Sequence, residues 1–182
     1  MSPDNSFEET PGSGRALTLA MLAFGVCFIG WSLLGPLGTT IQDKLHLTDT
    51  QLAITVAIPV VLGSLMRVPL GVLTDRYGGR RVFTAVMAFT PLPLIGLALF
   101  NDSWAAVLVC GFLLGFAGAS FAVGIPFVNR WYPPARQGFA LGLYGIGMGG
   151  TVVSALLAPR LTKATSLATT FWVAASLARG VQ

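Results

Sequence analysis

Charge is what this sequence has least of. Its 11 Lys and Arg and 7 Asp and Glu amount to 10% of 182 residues, whereas 54% are hydrophobic. A soluble domain covers its surface with about 25% charged residues, so a water-exposed globular domain is excluded. Cysteine and histidine are nearly absent: Cys27, Cys110 and His46 share no metal-ligand spacing. No resident metal is expected, and two thiols inside apolar stretches behave as small hydrophobes. There is no phosphate-binding loop and no nucleophile–base pair. No catalytic residue, no cofactor and no enzymatic role are therefore assigned. The net charge of +4 comes from basic residues spread between apolar stretches rather than gathered in one patch. That spread speaks against nucleic acid as a partner and matches what membrane insertion produces.

What the sequence has in abundance is apolar length. Blocks run over about 16–41, 52–73, 82–100, 104–127 and 138–159, each near the 20 residues that a helix needs to cross a hydrocarbon core. A sixth begins near Leu167 and contains Phe171, Trp172 and Val173, but Arg179 and the chain end cut it short. The expected fold is an all-α integral membrane bundle with five complete transmembrane helices and a truncated sixth. Its expected divisions are a disordered cytoplasmic tail over 1–15, five spans over 16–165 and an incomplete sixth helix over 166–182. The polar start, with Asp4, Glu8 and Glu9, lacks the basic region of a signal peptide. With the N-terminus in the cytoplasm, Arg15, Arg76, Arg80, Arg81, Arg130 and Arg136 fall inside and Lys44, Arg160 and Lys163 outside. The excess of inner positive charge favours this orientation, in a cell (inner or plasma) membrane with lipid as a partner.

Three segments carry more information. The loop after the second block contains Gly71, Asp75, Arg76, Gly78, Gly79, Arg80 and Arg81. Gly71 permits close helix approach, Gly78 and Gly79 a tight reversal, and the arginines anchor at an anionic leaflet. Asp75, among so many arginines, is expected to be paired. Arg67 lies inside the second block about two turns from its cytoplasmic end, in a stripe with Pro59, Gly63 and Gly71 that is expected to face neighbouring helices. A charge at that depth costs about 2.5–3.5 kcal/mol on insertion scales and persists where it faces a bundle interior or an aqueous path. Its planar donor fork suits a small trigonal anion; snorkelling or a structural pair with Asp75 is the competing reading. In the fifth block, Gly138, Gly142, Gly145, Gly147, Gly149 and Gly150 are denser than helix packing requires. They suggest a helix that moves or whose backbone approaches a substrate.

The spacing from Gly71 to Arg81 resembles the signature between helices 2 and 3 of the major facilitator superfamily. The stretches Gly115–Phe121 and Asn129–Gly142, with the glycine run from Gly145 to Thr151, are similar to helices 4 and 5 of the nitrate/nitrite porter (NarK-type) family. The resemblance covers about Trp31 to Pro159, and it implies the N-terminal bundle of a major facilitator fold. In that family an arginine of helix 2 binds the anion with a counterpart in the second half, and an aromatic ring of helix 4 stacks on it. By position these roles fall on Arg67 and Phe121. The glycine-rich helix flexes during alternating access, a role matching Gly142, Gly145, Gly147, Gly149 and Gly150. One position departs: Met148 stands where the family carries an Asn.

The resemblance implies transmembrane transport of nitrate or nitrite, small inorganic anions, with no cofactor. None of the seven acidic residues sits mid-helix, so antiport or uniport is easier to write than proton symport. Less than one half of such a carrier is present, so the 182 residues alone are expected to be inactive without the missing C-terminal half. The alternatives are a major facilitator half for cyanate, an organic anion or a drug, and a membrane protein that assembles with a partner and transports nothing.

Overall fold

The structure is a computed structural model and describes residues 11–180; most of the expected tail lies outside the described residues. Five helices are long and apolar enough to cross a membrane: α1 (Ser13–Leu45), α2 (Asp49–Tyr77), α3 (Gly79–Leu99), α4 (Trp104–Asn129) and α5 (Pro134–Ala164). A shorter helix, α6 (Leu167–Gly180), follows. No strand occurs among the described residues. This is the expected all-α membrane bundle, and the chain is a multi-pass membrane protein.

The ends of the helices have local causes. His46, in the left-handed region at φ 52°, closes α1. Thr48 then opens α2 with a capping box: its hydroxyl accepts from the Gln51 N–H at 3.3 Å, and the Gln51 side-chain oxygen accepts from the Thr48 N–H at 2.9 Å. These bonds satisfy backbone donors that a helix start leaves orphaned. Gly78, at φ 86°, separates α2 from α3, a conformation that costs glycine little. Consecutive prolines, Pro133 and Pro134, set the entry to α5.

One expectation is corrected here. Gly71, Asp75 and Arg76 are not in a loop but in the last turns of α2, and Arg80 and Arg81 already belong to the first turn of α3. Nothing between Leu70 and Tyr77 breaks a helix, so only Gly78 forms the turn. Gly79 is needed for space: a Cβ there would lie 2.8 Å from the Cβ of Phe127 on α4.

Four spans are interrupted near their middles. The helical run in α1 breaks at Leu33, in α3 at Thr90, in α4 at Ala119, and in α5 at a 3-10 turn over Ile146–Gly149. Pro91 explains the break in α3, because it has no N–H for the ladder. The breaks fall where the buried core divides into two clusters. One gathers Phe24, Phe83, Val123 and Tyr144 toward the arginine-rich end; the other gathers Leu37, Leu94, Leu114 and Phe171 toward the opposite end.

Helix α2 lies along α4, α1 runs against α5 and touches α4, and α6 rests on the second half of α3. The spans differ in how much of them this packing covers. Half or more of the apolar middle of α1, α3 and α4 is buried, but 22% of that of α2 and 28% of that of α5. Two helices therefore leave most of their surface unpartnered within the chain.

Candidate functional site

Arg67 sits on one of those open faces. Pro59 and Gly63 are buried, as expected for the stripe, but Arg67 is exposed and Gly71 has no atom within 4 Å of a would-be Cβ. The reason is geometric. At 3.6 residues per turn, a four-residue step overshoots a full turn by about 40°, so three steps carry the stripe from the α4 contact onto the open face. A Cβ on Gly63 would meet the Gly115 carbonyl of α4 at 3.3 Å, whereas Arg67 has turned clear of it.

The open surface of α2 divides by residue size. Ile54, Val61, Leu65, Val68 and Val72 form an exposed aliphatic strip. Beside it run Ala57, Val60, Ser64, Arg67, Gly71 and Asp75, all small or polar except Val60. Among the described residues the one ion pair is Lys44 with Asp102, at 2.6 Å. Asp75 thus has no cation within ion-pair distance there, contrary to expectation. It stands eight residues, or about 12 Å, along the helix from Arg67.

Helix α5 repeats this division with glycines. Gly147 and Gly150 are buried against α1: a Cβ on Gly147 would lie 2.8 Å from the Met21 carbonyl, and one on Gly150 would collide with the carbonyl of Gly25. Gly138, Gly142, Gly145 and Gly149 have nothing within 4 Å. Their spacing of four, three and four keeps them on one helix face. Close packing therefore accounts for two of the five glycines singled out in the sequence, and Gly142, Gly145 and Gly149 form part of a bare ridge.

Phe121 is half-buried at the start of the second segment of α4. Its ring lies 5.6 Å from that of Phe24 and 6.2 Å from that of Tyr144, and Phe24 stacks on Tyr144 at 4.6 Å. The Tyr144 hydroxyl donates to the Ser120 carbonyl at 3.3 Å. Phe121 is thus held by an aromatic cluster from α1, α4 and α5. The structure does not bring it onto Arg67. Among the described residues, the one cation over an aromatic ring is Arg76 above Tyr77, at 5.6 Å.

Two supports were missed in the sequence. Tyr144 was not singled out, although an aromatic between Gly142 and Gly145 was the available signal. Trp31 is the other: its indole donates to the Pro59 carbonyl at 3.3 Å and lies across Gly118, where a Cβ would come within 2.6 Å of it. It braces the α2–α4 contact one turn below the position of Gly63.

Comparison with known proteins bears on what these surfaces serve. The chain is 43% identical over 167 residues to the probable nitrate/nitrite transporter NarK2 of Mycobacterium tuberculosis, an overlap of 91% of this chain and 42% of that protein. It is 42% identical over 154 residues to the probable nitrate/nitrite antiporter NarK1 of Thermus thermophilus, covering 85% of this chain and 34% of the relative. Against the probable nitrate transporter NarT of Staphylococcus aureus it is 39% identical over 148 residues, covering 80% and 37%. The chain therefore spans less than half the length of these relatives. The family model for the Major Facilitator Superfamily matches residues 20–178, and the chain, with its five spanning helices, belongs to that superfamily.

Proposed function

We propose that this chain carries one half of a nitrate/nitrite transport path working by alternating access. The observation that carries the reading is Arg67, a guanidinium exposed in mid-span on a helix face otherwise made mostly of small residues. A charge so placed is costly against lipid, and the cost is met when that face borders an aqueous path. The names of the relatives at 39–43% identity support the choice of anion.

In this reading Arg67 replaces part of the anion's water shell with in-plane donors. Phe121 offers an aromatic wall from α4, steadied by Phe24 and Tyr144. The bare faces of α2 and α5 meet the part of the carrier that corresponds to the additional length of the relatives, and it supplies a second cation. The two halves rock about a midplane site. Gly142, Gly145 and Gly149 let helices slide past one another, and the 3-10 turn in α5 serves as the bending point. The N-terminus is cytoplasmic, which places Arg76, Arg80 and Arg81 at the inner leaflet. The carrier makes and breaks no covalent bond.

The test is nitrate uptake into liposomes by the longer carrier containing this chain, with and without Arg67→Ala. Uptake should fall to the protein-free background in the variant while the helical content of the protein is unchanged. Uptake by the variant at the wild-type rate would overturn the assignment of Arg67. A carrier that moves an organic anion and leaves nitrate outside would overturn the substrate.

A further inference from the structure

Arg81 and Tyr77 belong to two hollows at once. On one side lies a groove of about 500 Å³ between α2 and α3, walled by Leu70, Leu73, Val82, Ala85, Val86 and Phe89. Phe116 of α4 forms its floor, held edge-on to Phe89 at 5.1 Å. On the other side lies a cleft of about 530 Å³ at the helix ends, where Arg80, Arg81 and Arg130 gather beside Trp131.

We propose that these two hollows form a single binding site for an anionic glycerophospholipid. Its phosphate sits among the guanidiniums of Arg80, Arg81 and Arg130, and one acyl chain runs down the α2–α3 groove. The argument is the order of chemistry along the membrane normal. Arg81 occupies the first turn of α3, where headgroups lie, and Phe89 is eight residues deeper. That is about 12 Å along the helix, most of the roughly 15 Å that one leaflet contributes to a hydrocarbon core of about 30 Å. From Ala85 inward the lining is wholly apolar. A soluble anion would use only the cleft, and a protein helix would not need three cations at one end. An amphiphile matches both parts.

The charge of the cleft is uncompensated among the described residues. Among the described residues no carboxylate lies within 4.0 Å of Arg80, Arg81 or Arg130, since the one ion pair there is Lys44 with Asp102. Arg130 is brought in by the chain turn itself: a Cβ on Gly78 would stand 3.8 Å from its guanidinium nitrogen. Tyr77, stacked beneath Arg76, and Trp131 bracket the headgroup level, where such rings concentrate in membrane proteins. This site lies apart from Arg67 and does not depend on which solute is carried.

The test is a titration of the purified, delipidated full chain in detergent, followed by native mass spectrometry. The probes are phosphatidylglycerol and phosphatidylcholine with identical acyl chains. The wild type should retain phosphatidylglycerol in preference to phosphatidylcholine. Arg81→Gln should weaken phosphatidylglycerol about fivefold, the effect of removing one cation near the surface, and leave phosphatidylcholine unchanged. Ala85→Phe, at an exposed position inside the groove, should weaken both lipids. Equal retention of the two lipids by the wild type would overturn the proposal, and this comparison stands even if a variant fails to fold. Wild-type retention of phosphatidylglycerol by both variants, or its full displacement by inorganic phosphate, would overturn it as well.

Discussion

Tyr144 reaches from α5 into α4 through a gap that exists only because residue 124 is glycine. A Cβ on Gly124 would occupy the space of the Tyr144 hydroxyl and ring edge, and that hydroxyl donates to the Ser120 carbonyl at 3.3 Å. The ring is fully buried and stacked on Phe24. Tyrosine and glycine thus form one interlocking unit at the level where α4 and α5 are both interrupted.

Gly124→Ala should consequently lower the thermal stability of the purified chain more than Tyr144→Phe does. Tyr144→Phe removes one buried hydrogen bond, about 0.6 kcal/mol within a membrane, and keeps the stack. Gly124→Ala forces the ring itself to move, an overpacking that costs about 1–3 kcal/mol. Thermal unfolding in detergent, followed by circular dichroism, ranks the two. The reverse order would show that the hydrogen bond and not the fit holds α5 in place.

The glycines of α5 should separate into two classes under alanine substitution. Gly150→Ala meets the Gly25 carbonyl and should destabilise the chain. Gly142→Ala and Gly149→Ala have open space and should leave its thermal stability unchanged or slightly raised, because alanine is the better helix former by about 1 kcal/mol. In the longer carrier the same two changes should slow transport, because they put methyl groups on the face proposed to slide. Unchanged uptake in both would remove that face from the mechanism.

Arg67→Leu should trade function for stability. On insertion scales leucine is favoured over arginine at mid-span by about 3 kcal/mol, and Arg67 makes no ion pair among the described residues. Membrane insertion and yield of the chain should therefore hold or improve, while nitrate uptake by the longer carrier disappears. A variant that inserts poorly would instead show that Arg67 supports the fold.

Lys44 and Asp102 offer a contrasting case. They pair at 2.6 Å, but the Asp102 side chain is 82% exposed, and water and salt screen such a contact. Lys44 also donates to the Asn101 side-chain oxygen, so it keeps a partner without Asp102. Asp102→Asn should shift stability by less than about 0.5 kcal/mol, measured as the change in unfolding midpoint at low salt.

The sequence by itself determined the membrane and the number of spans. Scarcity of charge and apolar blocks of spanning length leave no other solution for a backbone that must satisfy its own hydrogen bonds in lipid. The Thr48–Gln51 cap, the Gly78 turn and the prolines of α5 are likewise local, and each is legible in a few residues. What the tertiary structure decided is which face of each helix is used. Gly147 and Gly142 look alike in the chain, yet only one lies under α1. Arg67 shares a four-residue stripe with Gly63, yet the rotation of about 40° between them separates a buried contact from an open face. Asp75, surrounded by arginines in the sequence, finds no partner among the described residues, because side chains adjacent along a helix point in different directions. Nor does spacing alone bring Arg81 and Arg130 together at the end of the α2–α3 groove. Burial and pairing depend on rotation and on neighbours distant in the chain, and only the packed bundle supplies both.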